Sequence, residues 1–410
     1  MIPAPIIAQT AEEERLPALP YGRQSIDEAD IAAVVDVLRG ERLAHGPKVG
    51  EFEAALAGQV GASSAAASSS GTAALHLALR ALDVGEGDLC IVPAMTFLAT
   101  ATAARLCGAE VVFADVDPAT GLMTAGTLQA ALTGAGRTVK AVLPVHLGGR
   151  ICDMDGIARI ARAAGAAIVE DACHALGGVD GAGRKVGACD LSDAAAFSFH
   201  PVKTLAAGEG GMTTARDPAL AERMRRLANH GVTRDAALLG DLELSLDGAG
   251  EPNPWAYEQI ELGFNYRMNE MEAALGLSQL GRLDLFVRRR RALAALYDLA
   301  LEPLGPAVKI VRGSPGDRPC PHLLQVLIDF DDLRLERAEA MRRLSARGVG
   351  TQVHYIPVYR HPYFAARYGA QRLQGAEAFY AQVLALPLFP AMRDGDVQRV
   401  AGALGETLGL

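Results

Sequence analysis

The side chain with the most unusual surroundings in this sequence is Lys203, which follows the apolar run 197–199 and precedes a glycine-rich turn at 204–211. Lysines usually lie on exposed surfaces, so a solvated Lys203 is the plain alternative. A lysine at the end of a buried strand can instead have a lowered pKa and attack carbonyl carbons. The neighbouring glycines would let the backbone approach a bound ligand closely. Local context favours neither interpretation over the other.

A second candidate group is the pair Glu170 and Asp171, at the end of the apolar segment AAIVE. A carboxylate just past a buried strand points into the crevice where parallel sheets bind their ligands. An ionised Asp171 could keep a pyridine nitrogen protonated there, although a helix cap or a loop acid is the default interpretation. His174 lies three residues further on. A lone histidine is more often structural than functional, and His174 becomes a candidate only beside Asp171.

Two further features suit a flat ligand that carries a phosphate. Ser70, Gly71 and Thr72 open the helical stretch AALHLALRAL, and small residues at a helix start expose N–H groups to an anion. An ordinary helix cap is the simpler interpretation of this turn alone. Phe97 follows the apolar run CIVP and could stack on a flat ring, or equally belong to the core.

The elements that must position these residues follow a regular pattern. From about residue 60 to 215, short apolar segments alternate with alanine-rich helical stretches, which predicts a mostly parallel sheet covered by helices on both faces. Ser25 and Glu28 have the spacing of a capping box, which predicts a helix that starts there and ends at Gly40. The predicted strands are 90–93, 110–114, 139–145, 166–170, 194–199 and 211–214.

The remainder of the chain departs from this alternation. Residues 233–255 are rich in Gly, Asp and Pro and predict a long excursion. A helix is expected over 267–299, with a split near Gly281. A smaller α+β unit is predicted from apolar segments at 308–313, 321–330 and 350–355 and from a helix at 335–347.

Length and composition exclude several classes of protein. The 410 residues are too many for one ordinary core, and 50% hydrophobic with 21% charged residues is typical of soluble globular proteins. A net charge of −9 without a Lys/Arg run argues against a nucleic-acid surface. No stretch of about 18 uncharged apolar residues is present, so no membrane span is expected. Six scattered cysteines without a Cys-x-x-Cys pair argue against a metal site and favour reduced thiols in the cytoplasm.

Six motifs that follow one another along the chain carry a resemblance that is more specific than any one of them alone. They are SSGTAAL, VPAMTFLAT, VEDACHALG, FSFHPVKTLAAGEGG, GFNYRMNEMEAALG and QVHYIPV. Together they resemble the nucleotide-sugar aminotransferases of the DegT/DnrJ/StrS group, and the likeness extends from residue 21 to 392. That resemblance implies an α/β fold-type-I enzyme dependent on pyridoxal phosphate, like aspartate aminotransferase. It implies a large domain with a mostly parallel seven-stranded sheet and a smaller α+β C-terminal domain.

The resemblance also implies a role for each candidate residue. Lys203 would form the Schiff base with the cofactor and move the proton between cofactor and sugar carbon, which makes it the catalytic residue. Asn265 would reach the cofactor phosphate from the other subunit of a homodimer. The other implied cofactor contacts are Gly71, Thr72 and Ser198 at the phosphate, Phe97 on the ring, Asp171 at the pyridine nitrogen and His174 at the 3-hydroxyl. His200, His354 and Tyr355 would bind the substrate.

The implied reaction transfers an amino group from L-glutamate to a nucleotide-linked keto-sugar, with pyridoxamine phosphate as the second cofactor form. Several runs look most like transaminases that make UDP-4-amino-4,6-dideoxy-N-acetyl-β-L-altrosamine for pseudaminic acid, which suggests C4 of a UDP-linked 4-keto-6-deoxy-N-acetylhexosamine. A GDP-perosamine or bacillosamine precursor is the alternative substrate. A relative that binds the cofactor without turnover, in a regulatory role, is an alternative of another class. A nicotinamide enzyme is excluded because no G-x-G-x-x-G follows the first strand.

The same pattern predicts how the chain is divided. Residues 1–24 are expected to form an N-terminal arm, because the apolar start has no basic segment before it and acids follow at once. Residues 25–280 are expected to form the large cofactor-binding domain and residues 281–410 the small domain. The predicted location is the cytoplasm, with no membrane and no nucleic acid among the partners.

Overall fold

The architecture is centred on a seven-stranded sheet in a computed structural model that describes residues 17–241 and 245–410. Most of the predicted N-terminal arm, residues 1–16, lies outside the described residues. The strands are β1 (Ser64–Ser68), β2 (Leu89–Pro93), β3 (Glu110–Ala114), β4 (Ala141–Val142), β5 (Ala167–Asp171), β6 (Ala194–Ser198), β7 (Gly211–Ala215), β8 (Val232–Thr233), β9 (Glu258–Gln259), β10 (Val308–Ile310), β11 (Leu324–Ile328) and β12 (Val383–Leu386).

Helices cover this sheet and build the C-terminal part. Those with described bounds are α1 (Glu28–Arg39), α2 (Lys48–Val60), α3 (Gly71–Ala81), α4 (Leu98–Leu106), α5 (Ala125–Ala135), α6 (Met154–Ala163), α7 (Pro218–Ala228), α8 (Glu270–Leu280), α9 (Leu283–Leu301), α10 (Arg337–Ala346), α11 (Pro362–Tyr368), α12 (Gln374–Gln382) and α13 (Asp394–Leu408). None of these described helices is long and apolar enough to cross a membrane.

The sheet places its strands in the order β1-β7-β6-β5-β4-β2-β3. Strand β7 is antiparallel to both of its neighbours, whereas the pairs from β6 through β3 are parallel. The carboxyl ends of β1, β2, β5 and β6 therefore meet at one edge of the sheet. Ligands of such sheets bind beyond that edge, and the mostly parallel seven-stranded sheet is as predicted.

Small side chains let helix α3 lie close to the sheet. Strands β1 and β6 are built largely from alanine, and α3 packs against both of them. Larger aliphatic residues, such as Ile91 and Ile168, fill the sheet interior and are fully buried. Close packing at this level means that even one added methylene on these faces would strain the core.

The C-terminal part has its own antiparallel sheet of β10, β11 and β12. Leu293, Tyr297, Val326 and Leu404 belong to a separate apolar core beneath it. Segment 358–383, by contrast, contributes side chains such as Phe379 to the core of the large sheet. The two cores are thus connected by a segment that leaves the C-terminal part and returns to it.

One expectation about helix ends was wrong and another was confirmed. Helix α1 begins two residues later than predicted, because Asp27, not Ser25, accepts the N–H groups of Ala29 and Asp30 and forms the capping box with Asp30. A carboxylate offers two acceptors to the helix N-terminus and is favoured there by the helix dipole. The long helix predicted over 267–299 is two helices, α8 and α9, which meet at the expected split beside Gly281.

The strand predictions failed where the regular pairing is short or where the strand is built from small residues. The predicted strand 139–145 is regular only at Ala141–Val142, with an isolated bridge at Val145. The predicted strand 350–355 forms only an isolated bridge from Gln352 to Ala385. Strand β1 was missed because SAAAS has no β-branched or aromatic residue.

Candidate active site

A cavity of about 530 Å³ opens at the edge where the strands of the large sheet end. Its wall is supplied by the turns after β1, β2, β5 and β6 and by segment 352–356 of the C-terminal part. The predicted site residues that line it are Gly71, Thr72, Phe97, Asp171, His174, Ser198, His200, Lys203, His354 and Tyr355. The structure thus brings these residues to one place, although they span almost 290 positions of the sequence.

Asp171 is the last residue of β5, and hydrogen bonds orient its carboxylate. The hydroxyl of Thr100 donates to one oxygen at 2.7 Å, and the N–H of Cys173 donates to the other at 3.2 Å. Thr100 is in turn 2.7 Å from the hydroxyl of Thr96. The side chain is buried, so these donors replace water around the carboxylate. Asp171 is therefore a fixed acceptor in the pocket wall.

Lys203 lies in the turn after β6, held by a backbone hydrogen bond of 2.8 Å from its N–H to the carbonyl of His200. Burial lowers the pKa of its ammonium, and the nearby Cys173 and Asp171 oppose that shift. A lowered pKa increases the fraction of neutral amine, which is the form that attacks a carbonyl carbon. The arrangement therefore gives the pocket one amine nucleophile beside a fixed carboxylate.

The start of α3 forms an anion cradle opposite Lys203. Ser70 caps the helix by accepting the N–H of Ala73 at 3.1 Å, so the N–H groups of Gly71 and Thr72 have no intrahelical partner. A Cβ on Gly71 would lie only 2.7 Å from the Cβ of Ser198. Only glycine therefore fits at this point, and the cradle suits a phosphate.

His174 and Tyr355 form a polar pair in the same wall. The N–H of Gly148 donates to Nδ1 of His174 at 3.2 Å, and Nε2 is 3.3 Å from the hydroxyl of Tyr355. Burial lowers the pKa of His174 far below its usual range, and Lys203 lowers it further. Burial also raises the pKa of Tyr355, so both groups are neutral near pH 7.

The pocket mouth carries a second aromatic group. Phe97 is 54% exposed, and its ring centre lies 5.7 Å from that of Tyr355. His354 is buried beside Tyr21, at 5.3 Å between ring centres, and burial together with Lys203 lowers the pKa of His354 to about 3. His200 is exposed at the rim. A flat ligand could be held against Phe97 while a polar one contacts the histidines.

Several lining residues were not found from the sequence. Thr96 and Thr100 have the i, i+4 spacing of one helical face after β2, which was a usable signal for the support of Asp171. Tyr21, Glu209 and His361 also line the cavity. Nothing in their local sequence marks them, because the chain returns to the pocket from distant segments.

Asn265 does not line the cavity of its own chain. It is exposed and pairs with Asn229 through an isolated bridge, next to Tyr266, whose carbonyl accepts the N–H of Ser69. Among the predicted site residues it is the one that the fold does not bring to the pocket.

The residues present fit pyridoxal phosphate. The cofactor needs an amine, an acid at its ring nitrogen and an anion site, and Lys203, Asp171 and the Gly71 cradle supply these groups around one cavity. The glycine of the cradle has particular weight, because it lets the start of α3 pack directly against Ser198, the other predicted phosphate contact.

The sequence profile of the DegT/DnrJ/EryC1/StrS aminotransferase family matches residues 24–405. The spore coat polysaccharide biosynthesis protein SpsC of Bacillus subtilis (strain 168) is 39% identical over 94% of this chain and 96% of its own. The structure is also similar to that of PseC of Helicobacter pylori, an aminotransferase involved in the biosynthesis of pseudoaminic acid. There the TM-score is 0.86 and the identity 26%, over 96% of this chain and 99% of the other.

A further solved structure is informative about the cofactor. Spr1654 of Streptococcus pneumoniae, provisionally assigned as a sugar aminotransferase, was solved in its PLP form. It matches with a TM-score of 0.83 and 26% identity, over 96% of this chain and 99% of the other. The same protein was also solved in a PMP form. This chain therefore belongs to the DegT/DnrJ/EryC1/StrS aminotransferase family, with the fold-type-I architecture, and is a pyridoxal-phosphate-dependent aminotransferase.

Proposed function

We propose that this aminotransferase moves an amino group from L-glutamate to C4 of a UDP-linked 4-keto-6-deoxy-N-acetylhexosamine, as in a pathway of the pseudaminic acid type. The observation that carries the proposal is the placement of Lys203, Asp171 and the Gly71 cradle around one cavity. The similarity to PseC supports the sugar class.

The bound cofactor supplies an electron-withdrawing ring that stabilises negative charge at the reacting carbon. Asp171 holds a proton at the ring nitrogen, and the hydroxyl of Thr100 keeps its carboxylate aimed at the pocket. Lys203 accepts a proton at Nζ from one carbon and returns it to another, since its lowered pKa makes the neutral amine accessible. Phe97 stacks on the ring.

The phosphate is assigned to the start of α3. The free N–H groups of Gly71 and Thr72 donate to it, with the hydroxyl of Ser198 beside them. His174 would lie near the ring hydroxyl, with its own nitrogens already in contact with Gly148 and Tyr355. These contacts fix the cofactor at both ends, so the reacting carbon stays next to Lys203.

Substrate contacts are assigned to His200, His354 and Tyr355, which line the same cavity. A buried polar group that loses its partner discriminates strongly against an isomer of the sugar. A GDP-perosamine or bacillosamine precursor is the alternative, and it would use the same cofactor contacts with a different fit at these three side chains.

A homodimer with shared sites is part of the proposal. Asn265 is assigned to the cofactor phosphate of the second subunit, which agrees with its exposure and its absence from its own cavity. Trp255, Tyr257 and Leu262, in the segment that leads to Asn265, are 70%, 60% and 77% exposed. Large apolar side chains exposed together are typical of surfaces that another chain covers.

The remaining parts of the proposal concern organisation and place. We divide the chain into an arm (1–24), a cofactor domain (25–280) and a small domain (281–410), supported by the separate core under β10–β12. A cytoplasmic location fits six cysteines that are all unpaired, five of them buried.

The deciding experiment is an assay of purified protein with L-glutamate against UDP-, GDP- and TDP-linked 4-keto-6-deoxy sugars. The UDP-linked N-acetylhexosamine should give the highest kcat/KM. A preference for a GDP-linked sugar would select the alternative, and an absence of amino-sugar product across the panel would refute the proposal. Borohydride reduction followed by peptide mapping should place the cofactor on Lys203, and a label on another lysine would overturn that assignment.

A further inference from the structure

The backbone of Gly148 forms hydrogen bonds with two buried histidines beside the pocket. The N–H of Gly148 donates to Nδ1 of His174 at 3.2 Å, and its carbonyl accepts the N–H of His322 at 3.0 Å. Gly148 has a φ of 68°, and a Cβ there would lie 2.7 Å from the side-chain oxygen of Gln325. No other residue could keep this turn without strain.

His322 has no assigned role, yet it is held from three sides. Its ring centre is 4.4 Å from that of His174, with 40° between the planes. The buried guanidinium of Arg290 donates to its carbonyl at 3.2 Å. Its Nδ1 is buried and has no partner among the described residues. The contact of this ring with His174 is thus one of packing, and Nδ1 adds no hydrogen bond to it.

The charged groups that shift the pKa of the two rings are all cationic. Lys203 and Arg150 lower the pKa of His174, and Lys203 and Arg290 lower the pKa of His322. Burial comes first in lowering the pKa of each ring, and these neighbours add to it. A proton on either imidazole would be both desolvated and repelled, so both rings stay neutral.

The direction of these hydrogen bonds follows from the backbone N–H of Gly148, which can only donate. A backbone N–H only donates, so Nδ1 of His174 is the acceptor and the ring proton is on Nε2. Nε2–H then donates to the hydroxyl oxygen of Tyr355, at 3.3 Å. The hydroxyl proton of Tyr355 is left to point away from His174, and Tyr355 lines the cavity.

We propose that Gly148 and His322 are positioning residues that hold His174 in its neutral Nε2–H form, so that His174 and Tyr355 make a one-way chain that presents an O–H donor to an oxygen of the bound molecule. This pair of hydrogen bonds extends the proposed function and rests on it for the identity of the bound molecule. The tautomer of His174 follows from contacts within the protein alone.

The first test uses protein without cofactor, labelled with ¹⁵N-histidine, and long-range ¹H–¹⁵N correlation spectra. A His174→Gln variant identifies the His174 signals. Wild type should show His174 as a single Nε2–H tautomer that does not titrate between about pH 5 and 8, whereas a free imidazole titrates near 6.5. A protonated Nδ1 in the wild type would overturn the proposal without any need for a variant.

Variants of His322 test its part. His322→Phe keeps a flat neutral ring and should preserve the His174 signals, whereas His322→Gln removes the ring and should give mixed tautomers that begin to titrate. Unchanged signals in His322→Gln would refute the positioning role. His76→Phe is the matched control, because His76 is also buried, with Nδ1 3.3 Å from a tyrosine hydroxyl, but lies outside the pocket.

The final test separates this inference from the proposed function. Tyr355→Phe should keep the His174 tautomer, which Gly148 sets, and lose the donor. Binding of pyridoxal phosphate and of the keto-sugar is then measured separately, and about a tenfold loss for one of them identifies the oxygen that is recognised. No loss for either would overturn the donor role. A wild type with the expected tautomer but no transfer to any sugar would refute only the proposed function.

Discussion

Two buried histidines in this molecule accept a backbone N–H in the same way at Nδ1, but their Nε2 atoms contact different partners. The N–H of Cys152 donates to Nδ1 of His146, whose Nε2 lies 2.8 Å from a carboxylate oxygen of Glu170. The N–H of Gly148 donates to Nδ1 of His174, whose Nε2 faces Tyr355. Both rings are therefore Nε2–H donors. They differ in the group that accepts this hydrogen bond, which is Glu170 for His146 and Tyr355 for His174. Of these two acceptors only Tyr355 lines the cavity.

Strand β5 explains this difference. Glu170 and Asp171 are neighbours on it, and successive side chains of a strand point to opposite faces. Glu170 is enclosed by His146 and the hydroxyl of Ser192, whereas Asp171 faces the pocket. We call the first group the closed cluster (His146, Glu170, Ser192) and the second the open cluster (Asp171, His174, Tyr355). Similar residues thus support the fold in one cluster and are available for chemistry in the other.

The largest expected effect is on the open side. Lys203→Ala removes the amine and the proton carrier together, so turnover should fall by on the order of 10⁴-fold while the protein stays folded. Steady-state kinetics and a melting curve measure the two quantities. Lys185→Ala is the control, because Lys185 contacts the carbonyl of Gln59 away from the pocket. Turnover within about tenfold of wild type in Lys203→Ala would contradict the assignment.

The comparison is sharpest for the adjacent acids. Asp171→Asn keeps the shape and removes the charge, and it should lower kcat by about 10²- to 10³-fold with little change in stability. Glu170→Gln should instead affect stability and leave kcat nearly unchanged. It weakens the bonds to His146 and Ser192 and should lower the free energy of unfolding by about 1–3 kcal/mol. If the two variants exchanged these effects, the division into open and closed clusters would be wrong.

A third buried histidine, His76, tests the cost of keeping a ring neutral by burial, as in His174. Burial, with Arg80 nearby, lowers the pKa of His76 to about 4. The unfolded imidazole takes up a proton below about 6.5, so the unfolded state binds more protons and the stability from this residue is lost as pH falls from 6.5 through 4. The loss should be about 3 kcal/mol between pH 7 and pH 4.

Denaturant unfolding at a series of pH values measures that loss. His76→Phe should flatten the pH dependence of stability. Phe264→Leu replaces the aromatic ring whose centre lies 4.7 Å from that of His76 by a smaller side chain, and it should lower stability about equally at every pH. An unchanged pH slope in His76→Phe would show that other groups control the acid sensitivity.

The smallest expected effect concerns the cradle. Gly71→Ala places a Cβ 2.7 Å from the Cβ of Ser198, so the cradle must widen and pyridoxal phosphate should bind about tenfold more weakly by fluorescence titration. Gly402→Ala is the control, because its Cβ meets nothing within 4 Å in the interior of α13. That variant should instead gain up to about 1 kcal/mol of stability. Equal cofactor affinity in both variants would contradict the cradle.

Much of the fold was predictable because local patterns carried it. Apolar runs separated by helical stretches predicted the large sheet, and the motifs around Lys203 and Asp171 predicted the family and its cofactor, which the family match confirms. Strand β1 was missed because it has no β-branched or aromatic residue, and the real extent of β4 was missed because it depends on where pairing with the neighbouring strands stops. The roles of the individual pocket residues, and the reach of Asn265 into a second subunit, stay predictions.

Local sequence specifies the reactive groups: a lysine after a buried strand, an acid at a strand end and a glycine at a helix start, because these signals depend on neighbours along the chain. Which of two adjacent acids faces the pocket, which nitrogen of His174 carries the proton and which ring packs against it are set by the folded chain. Those features depend on contacts between residues far apart in the sequence, such as His174 with Tyr355, which are 181 positions apart, and no local pattern records them.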